Sequence, residues 1–380
     1  MDGGAGSSPW FTKVEFEDRL AALRRWMADD NLDGVLLFEP ESVTYITGFY
    51  TFGYTSSFQA AIVTRTGEPL VIVRHSEVAY LDRTSPFSAR HVWVDGQEPA
   101  DIVANAARAG GLAGARVGIE MRSWMLNAAL FRDITMQLPG TRFVDVSARL
   151  AGQRLRKSPA EVAYIEQASR IAERAMDAAV VECRAGATEN DVAAAVFAMT
   201  TILGADRPDI CIASGEAADN VHGLYTGRIL QPGDLVAVEV VPSVNHYHAR
   251  FMRTIVVPPV PAAALAMAER LVEVQDRALA TVRPGVPASV PDTIYREGIL
   301  GTGLVGAYPN KTFYSVGLML DPNAAEGLEA NPASTWSFEE GQVFHTYLAV
   351  KGFTFSETVL ITAGGCRSLT TYPRQLLAGR

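Results

Sequence analysis

Apolar positions along the first 150 residues change period repeatedly. FEDRLAALRRWMADDNL spaces them as one face of a helix, and DGVLLFE then runs apolar without a break, as a short buried strand does. FQAAIVTR and LVIVR, separated by a GEP turn, read as a hairpin or as adjacent strands. Helical spacing returns in EPADIVANAARAG, followed by the strand RVGIE, a helix around WMLNAALFRDI and a closing strand TRFVDVS near residue 148. Helices alternating with strands predict an α/β domain over residues 1–150. A second domain over 151–380 opens with a long helix in RLRKSPAEVAYIEQASRIAERAMDAAV. Ser158 is placed to cap it, Pro159 suits its first turn, and Glu161 completes a capping box. Thr188 and Asp191 mark a second start, before ATENDVAAAVFAMTTIL.

The second domain holds a faint internal echo. VECRAGATENDV and LATVRPGVPASVPD each carry an Arg just before a glycine turn that leads into a new helix. Between the echoes, AVEVVPSVNHYHARFMRTIVV predicts strand, turn and strand, with Glu239, His246, His248 and Arg250 close together. Carboxylate and imidazoles invite a metal ion, whereas a guanidinium repels one. A single zinc held by Glu239, His246 and His248 is the minor reading.

A length of 380 residues suits two cores, and 48% apolar with 20% charged residues describes a globular chain. The net charge of −9 argues against nucleic acid or an anionic membrane as the main partner, but leaves an anionic small molecule open. Three scattered cysteines, Cys183, Cys211 and Cys366, propose neither a disulfide framework nor a thiolate metal site, and fit a reducing, cytoplasmic setting. MDGGAGSSPW reads as a loose tail rather than a signal peptide, and charges interrupt AAALAMAERLVEV well short of a membrane span.

Taken in order, RLAALRRWMADDNLDGVLLFEPESVTYITGFYTFGY, SGEAADNVHGLYTGRILQPGDLVAVEV, ARFMRTIVV, EEGQVFHTYLAV and GFTFSETVLIT resemble the creatinase, prolidase and aminopeptidase P family nearly end to end. The resemblance implies a creatinase-like α/β N-terminal domain and a C-terminal pita-bread domain, whose pseudo-twofold repeat accounts for the echo. It also implies five metal-ligand positions, filled in metal-using members by two aspartates, one histidine and two glutamates. Here they fall on Glu239, Arg250, Tyr314, Tyr347 and Ser356, with Glu357 next to the last. One carboxylate beside an arginine cannot offset two divalent cations, so no metal and no other cofactor are expected.

His222 falls on the family's first active-site histidine, seventeen residues before Glu239, and in metal-free creatinase that histidine is the general acid-base. The catalytic candidates are therefore His222, Glu239, Tyr347 and His345, the last two sharing one strand face. Arg250, His248, Tyr314 and Glu357 are the candidate substrate contacts, with Arg250 anchoring a carboxylate or other oxyanion. Tyr54 and Arg74, with Gln59 and His75, lie in stretches that resemble those lent to a partner subunit's site, which implies a homodimer with its active site near the interface. Creatinase itself does not fit, because Met252 and Ser356 replace the glutamates that hold its guanidinium. The leading expectation is metal-independent acid-base chemistry on a small polar, carboxylate-bearing metabolite, with C–N hydrolysis the nearest precedent and specialised metabolism a conceivable setting. A lyase, cyclase or isomerase on the same scaffold, an atypical Xaa-Pro-type metallopeptidase and a non-catalytic binding protein are the alternatives.

Overall fold

The computed structural model describes residues 10–220 and 222–380. Most of the tail, residues 1–9, lies outside them. The chain forms two compact units, 1–154 with 320–322, and 155–319 with 323–380.

In the first unit, α1 (Lys13–Asp29) is followed by β1 (Gly34–Leu37), α2 (Pro40–Thr47), β2 (Ala60–Thr64), β3 (Leu70–Arg74), α3 (Val78–Thr84) and β4 (Arg90–Trp93). Then come α4 (Pro99–Ala109), β5 (Arg116–Ile119), α5 (Ala128–Gln137), β6 (Arg142–Asp145) and α6 (Ser147–Leu155). The strands make one sheet in the order β4-β3-β2-β1-β5-β6. β2 and β3 pair antiparallel as the GEP turn predicts, with Ala61 opposite Val71. Every residue of β1 is buried, which is why its sequence runs apolar instead of alternating.

The second unit begins with α7 (Pro159–Glu182) and α8 (Glu189–Ile202), each opened by a formed capping box. Ser158 Oγ accepts from the Glu161 amide at 3.2 Å, and the Glu161 carboxylate accepts from the Ser158 amide at 2.7 Å. The strands β7 (Asp209–Ser214), β8 (Leu235–Val241), β9 (Ser243–Val244), β10 (Tyr247–His248) and β11 (Phe251–Val256) lead to α9 (Ala262–Leu279) and α10 (Ser289–Leu300). The chain closes with β12 (Phe313–Ser315), β13 (Glu329–Ala330), β14 (Val343–Val350), β15 (Phe353–Thr362), β16 (Gly365–Ser368) and β17 (Leu377–Ala378). A nine-stranded sheet runs β13-β12-β14-β15-β11-β8-β7, with β16 on β15 and β17 on β11.

The echo is structural. Gly186 and Gly285 both take left-handed backbone, with φ of 86° and 83°. Their amides donate to Leu230 O and Phe338 O, and Leu230 and Phe338 donate back to Ala187 O and Val286 O. The turns before β8 and β14 also match: Gln231 N donates to the Asp234 carboxylate as Glu339 N donates to the Gln342 amide oxygen. This is the pseudo-twofold domain that the resemblance implies. Each half lays a helix pair on one face of the sheet. Ala172, Ala175 and Ala179 of α7 share a core with Val236, Val238 and Val240 of β8. Leu271 and Val274 of α9 share another with Phe344 and Leu348 of β14. Strand alternation then sends Glu239, His345 and Tyr347 to the opposite face.

Candidate active site

A cavity of about 300 Å³ opens on that face. Glu239 on β8, Tyr314 on β12, and His345 and Tyr347 on β14 form its floor, and Arg250, Lys311 and the loop residue His222 edge it. Glu239, Arg250, Tyr314 and the His345–Tyr347 pair come from separate stretches that only the folded sheet brings together.

Glu239 and Arg250 form an ion pair, with Nε 3.1 Å from Oε1. Arg250 sits between β10 and β11, outside the ladder, because Thr358 grips its backbone: Arg250 N donates to Thr358 Oγ1, and that hydroxyl donates to Arg250 O, both at 2.9 Å. Its Nη1 reaches Ala324 O at 3.1 Å, and its guanidinium carbon lies 5.2 Å from the Tyr314 ring centre. Burial disfavours the charge, but Glu239 outweighs it and raises the arginine further.

His345 is 1% exposed, and neither ring nitrogen has a hydrogen-bond partner among the described residues. Its ring stacks on Tyr347 at 5.3 Å and 7°, and meets Tyr314 edge-on at 4.9 Å and 75°. Burial first, then Arg250 and Lys311, push it well below the ordinary imidazole range, so it stays neutral. Burial likewise raises both phenols, leaving Tyr314 and Tyr347 protonated as hydrogen-bond donors.

This neutral histidine links to stability. Between its depressed native pKa and the unfolded value near 6.5, only the unfolded chain binds the proton, so its contribution is present above 6.5 and lost as pH falls below. Urea titrations of a His345→Phe variant are expected to show a flatter acid limb below that point, by up to about 1.4 kcal/mol per pH unit. An unchanged limb would mean the ring is protonated in the native state.

Two candidates of this unit, His248 and Glu357, do not line the cavity. His248 Nδ1 donates to His246 O at 2.9 Å and its backbone to Gly317 O, because the break at residues 249–250 cancels the alternation expected between His248 and Arg250. Burial and the neighbouring His246 push its pKa down to about 3. Glu357 shares its face of β15 with the core residues Phe355 and Val359, so it turns to the helix layer and pairs with Arg253 at 2.6 Å. Tyr54 is 3% exposed and donates to Phe49 O at 3.0 Å within the first unit. Arg74 is held bidentately by Asp95 at 2.7 and 2.6 Å, and its amide donates to the buried Gln59 side chain at 3.2 Å. His222 is exposed at the mouth, its amide donating to Asn220 Oδ1 at 3.3 Å.

Lys311, Ala324 and Ala325 also line the cavity and were not foreseen. Lys311 lies two residues before the strand that carries Tyr314, a visible signal. The alanines belong to a loop that no periodicity could place.

The chain matches metallopeptidase family M24 over residues 163–363 and the Creatinase/Prolidase N-terminal domain over residues 19–156. It belongs to family M24. An Xaa-Pro dipeptidase of Pyrococcus furiosus is 26% identical over 95% of this chain and 100% of its own length. A creatinase of Bacillus sp. is 27% identical over 98% of this chain and 94% of its own. The fold is that of the Pyrococcus horikoshii prolidase structure, with a TM-score of 0.83 at 24% identity, covering 95% of this chain and 100% of that one.

A family of this name implies metal, and the residues present do not suit it. Arg250 already occupies a Glu239 oxygen, both tyrosines hold their protons, and Ser356 Oγ is engaged by the Met252 amide at 2.7 Å. Among the described residues no group of three or more His, Cys, Asp or Glu side chains is placed to hold an ion. Nor is any described helix long and apolar enough to cross a membrane.

Proposed function

We propose that this M24 enzyme hydrolyses a C–N bond in a small, polar, carboxylate-bearing metabolite without a bound metal. The observation that supports this reading is the ion pair between Arg250 and Glu239, at two positions where the family resemblance implies metal ligands. His222 takes a proton from water as the water oxygen attacks the carbonyl carbon, and returns it to the departing nitrogen as the C–N bond breaks. The protonated phenols of Tyr314 and Tyr347 donate to the developing oxyanion, a role that suits donors whose rings are packed against His345. Glu239 holds Arg250 in place, and Arg250 holds the substrate's anionic end. A homodimer belongs to the same reading.

Metal analysis of the purified enzyme, together with turnover measured across carboxylate-bearing amides, ureides and amidines, tests this. Sub-stoichiometric manganese, zinc, iron and cobalt are expected, with hydrolysis that survives dialysis against a chelator. Stoichiometric metal whose removal abolishes turnover would overturn it.

A further inference from the structure

The cavity carries an imbalance of charge. Lys311 Nζ stands 4.9 Å from the centre of the Tyr314 ring, and the Arg250 guanidinium carbon stands 5.2 Å from the same centre. Two cations thus lie close to one aromatic ring, while Glu239 is the one carboxylate among the cavity's described lining residues and is already bonded to Arg250 Nε. Arg250 Nη1 is taken by Ala324 O, but Nη2 makes no hydrogen bond to a described residue. Lys311 is paired with Glu329, which lies outside the cavity. The two side chains are 34% and 43% exposed, and a pair so open to solvent contributes only about 0–1 kcal/mol. A ligand oxyanion inside the cavity can therefore draw the ammonium away from it. Neutral His345 beneath the same two cations adds no compensating charge.

We infer that Lys311 and Arg250 are the two arms of an anion subsite over Tyr314, and that a substrate carboxylate bridges Lys311 Nζ and Arg250 Nη2. Lys311 is then a specificity-determining residue, selecting monoanionic ligands with a neutral polar body and rejecting cationic ones. This deepens the function proposed above and rests on its anionic substrate.

Butyrate and its neutral isostere butyramide serve as probes, and the methyl NMR signal of Met252, a cavity-lining residue, reports their binding. Butyrate is expected to bind the wild-type enzyme about tenfold more tightly than butyramide, the worth of a charge-assisted contact. Lys311→Met is expected to erase most of that preference, and Lys311→Arg to retain it. Glu329→Gln separates this role from a structural one: freeing Lys311 should tighten butyrate, whereas loss of a merely structural ion pair would weaken it as Lys311→Met does. Equal binding of the two probes, or Lys311→Met and Glu329→Gln changing in the same direction, overturns the subsite. Its failure is distinguishable from that of the catalytic reading, because the two probes are not turned over and report on binding alone, whereas the catalytic reading stands or falls on turnover.

Discussion

His222→Ala is expected to lose about 10²–10⁴-fold in turnover, the range in which a positioned general acid-base contributes. Its urea midpoint should stay with the wild type. The two expectations are separable because the side chain lies exposed in a loop, and among the described residues its one hydrogen bond is that of its backbone amide to Asn220. The measurement is kcat and kcat/KM against pH for a hydrolysed substrate. Loss of one limb of the profile identifies His222 as the group that titrates, whereas a pure packing defect scales the whole curve. Turnover within a few-fold of wild type would remove His222 from the chemistry and leave the pocket as a binding site.

The largest effect on stability is expected from Arg253→Met, a loss of about 3–5 kcal/mol read from urea unfolding. Arg253 is fully buried, and its guanidinium reaches Glu357 Oε1 at 2.6 Å. It also donates to Pro373 O at 2.9 Å, Met252 O at 2.9 Å, Ser356 O at 2.8 Å and Tyr372 O at 3.0 Å. Removing it strands a buried carboxylate that keeps only the hydroxyls of Thr370 and Ser368, and leaves four carbonyls without that donor. The double variant Arg253→Met, Glu357→Leu should recover much of the loss, since the cost lies in the uncompensated charge rather than in the missing pair. A single-variant cost near 1 kcal/mol would show that water reaches the carboxylate. Affinity for butyrate should be unchanged, because this pair faces the helix layer and not the cavity.

Local chemistry made much of the fold legible. The Ser158 and Thr188 caps, the GEP hairpin and the unbroken apolar run of β1 are each decided by neighbours in sequence, so reading the residues was enough. Helical α2, α3 and α6 were not read separately, being short elements whose apolar positions are too few for a clear period. Within the site, alternation correctly paired His345 with Tyr347 on one face of an unbroken strand. The same rule misplaced His248, because Thr358, 108 residues further on, pulls Arg250 out of the ladder. Glu357 is a candidate only through its place next to Ser356 in the family resemblance, and the fold turns it to the helix layer to pair with Arg253.

By itself the sequence determined two domains, the order of their longer elements and the internal repeat, because covalent spacing and side-chain chemistry carry all of these. The tertiary structure decided which charges meet. Glu239 and Arg250 are joined, Lys311 is brought to the same aromatic ring, and Glu357 is withdrawn to the core. The physical reason is that charge pairing depends on distances of a few ångströms between strands far apart in the chain, and those distances exist only once the sheet has folded.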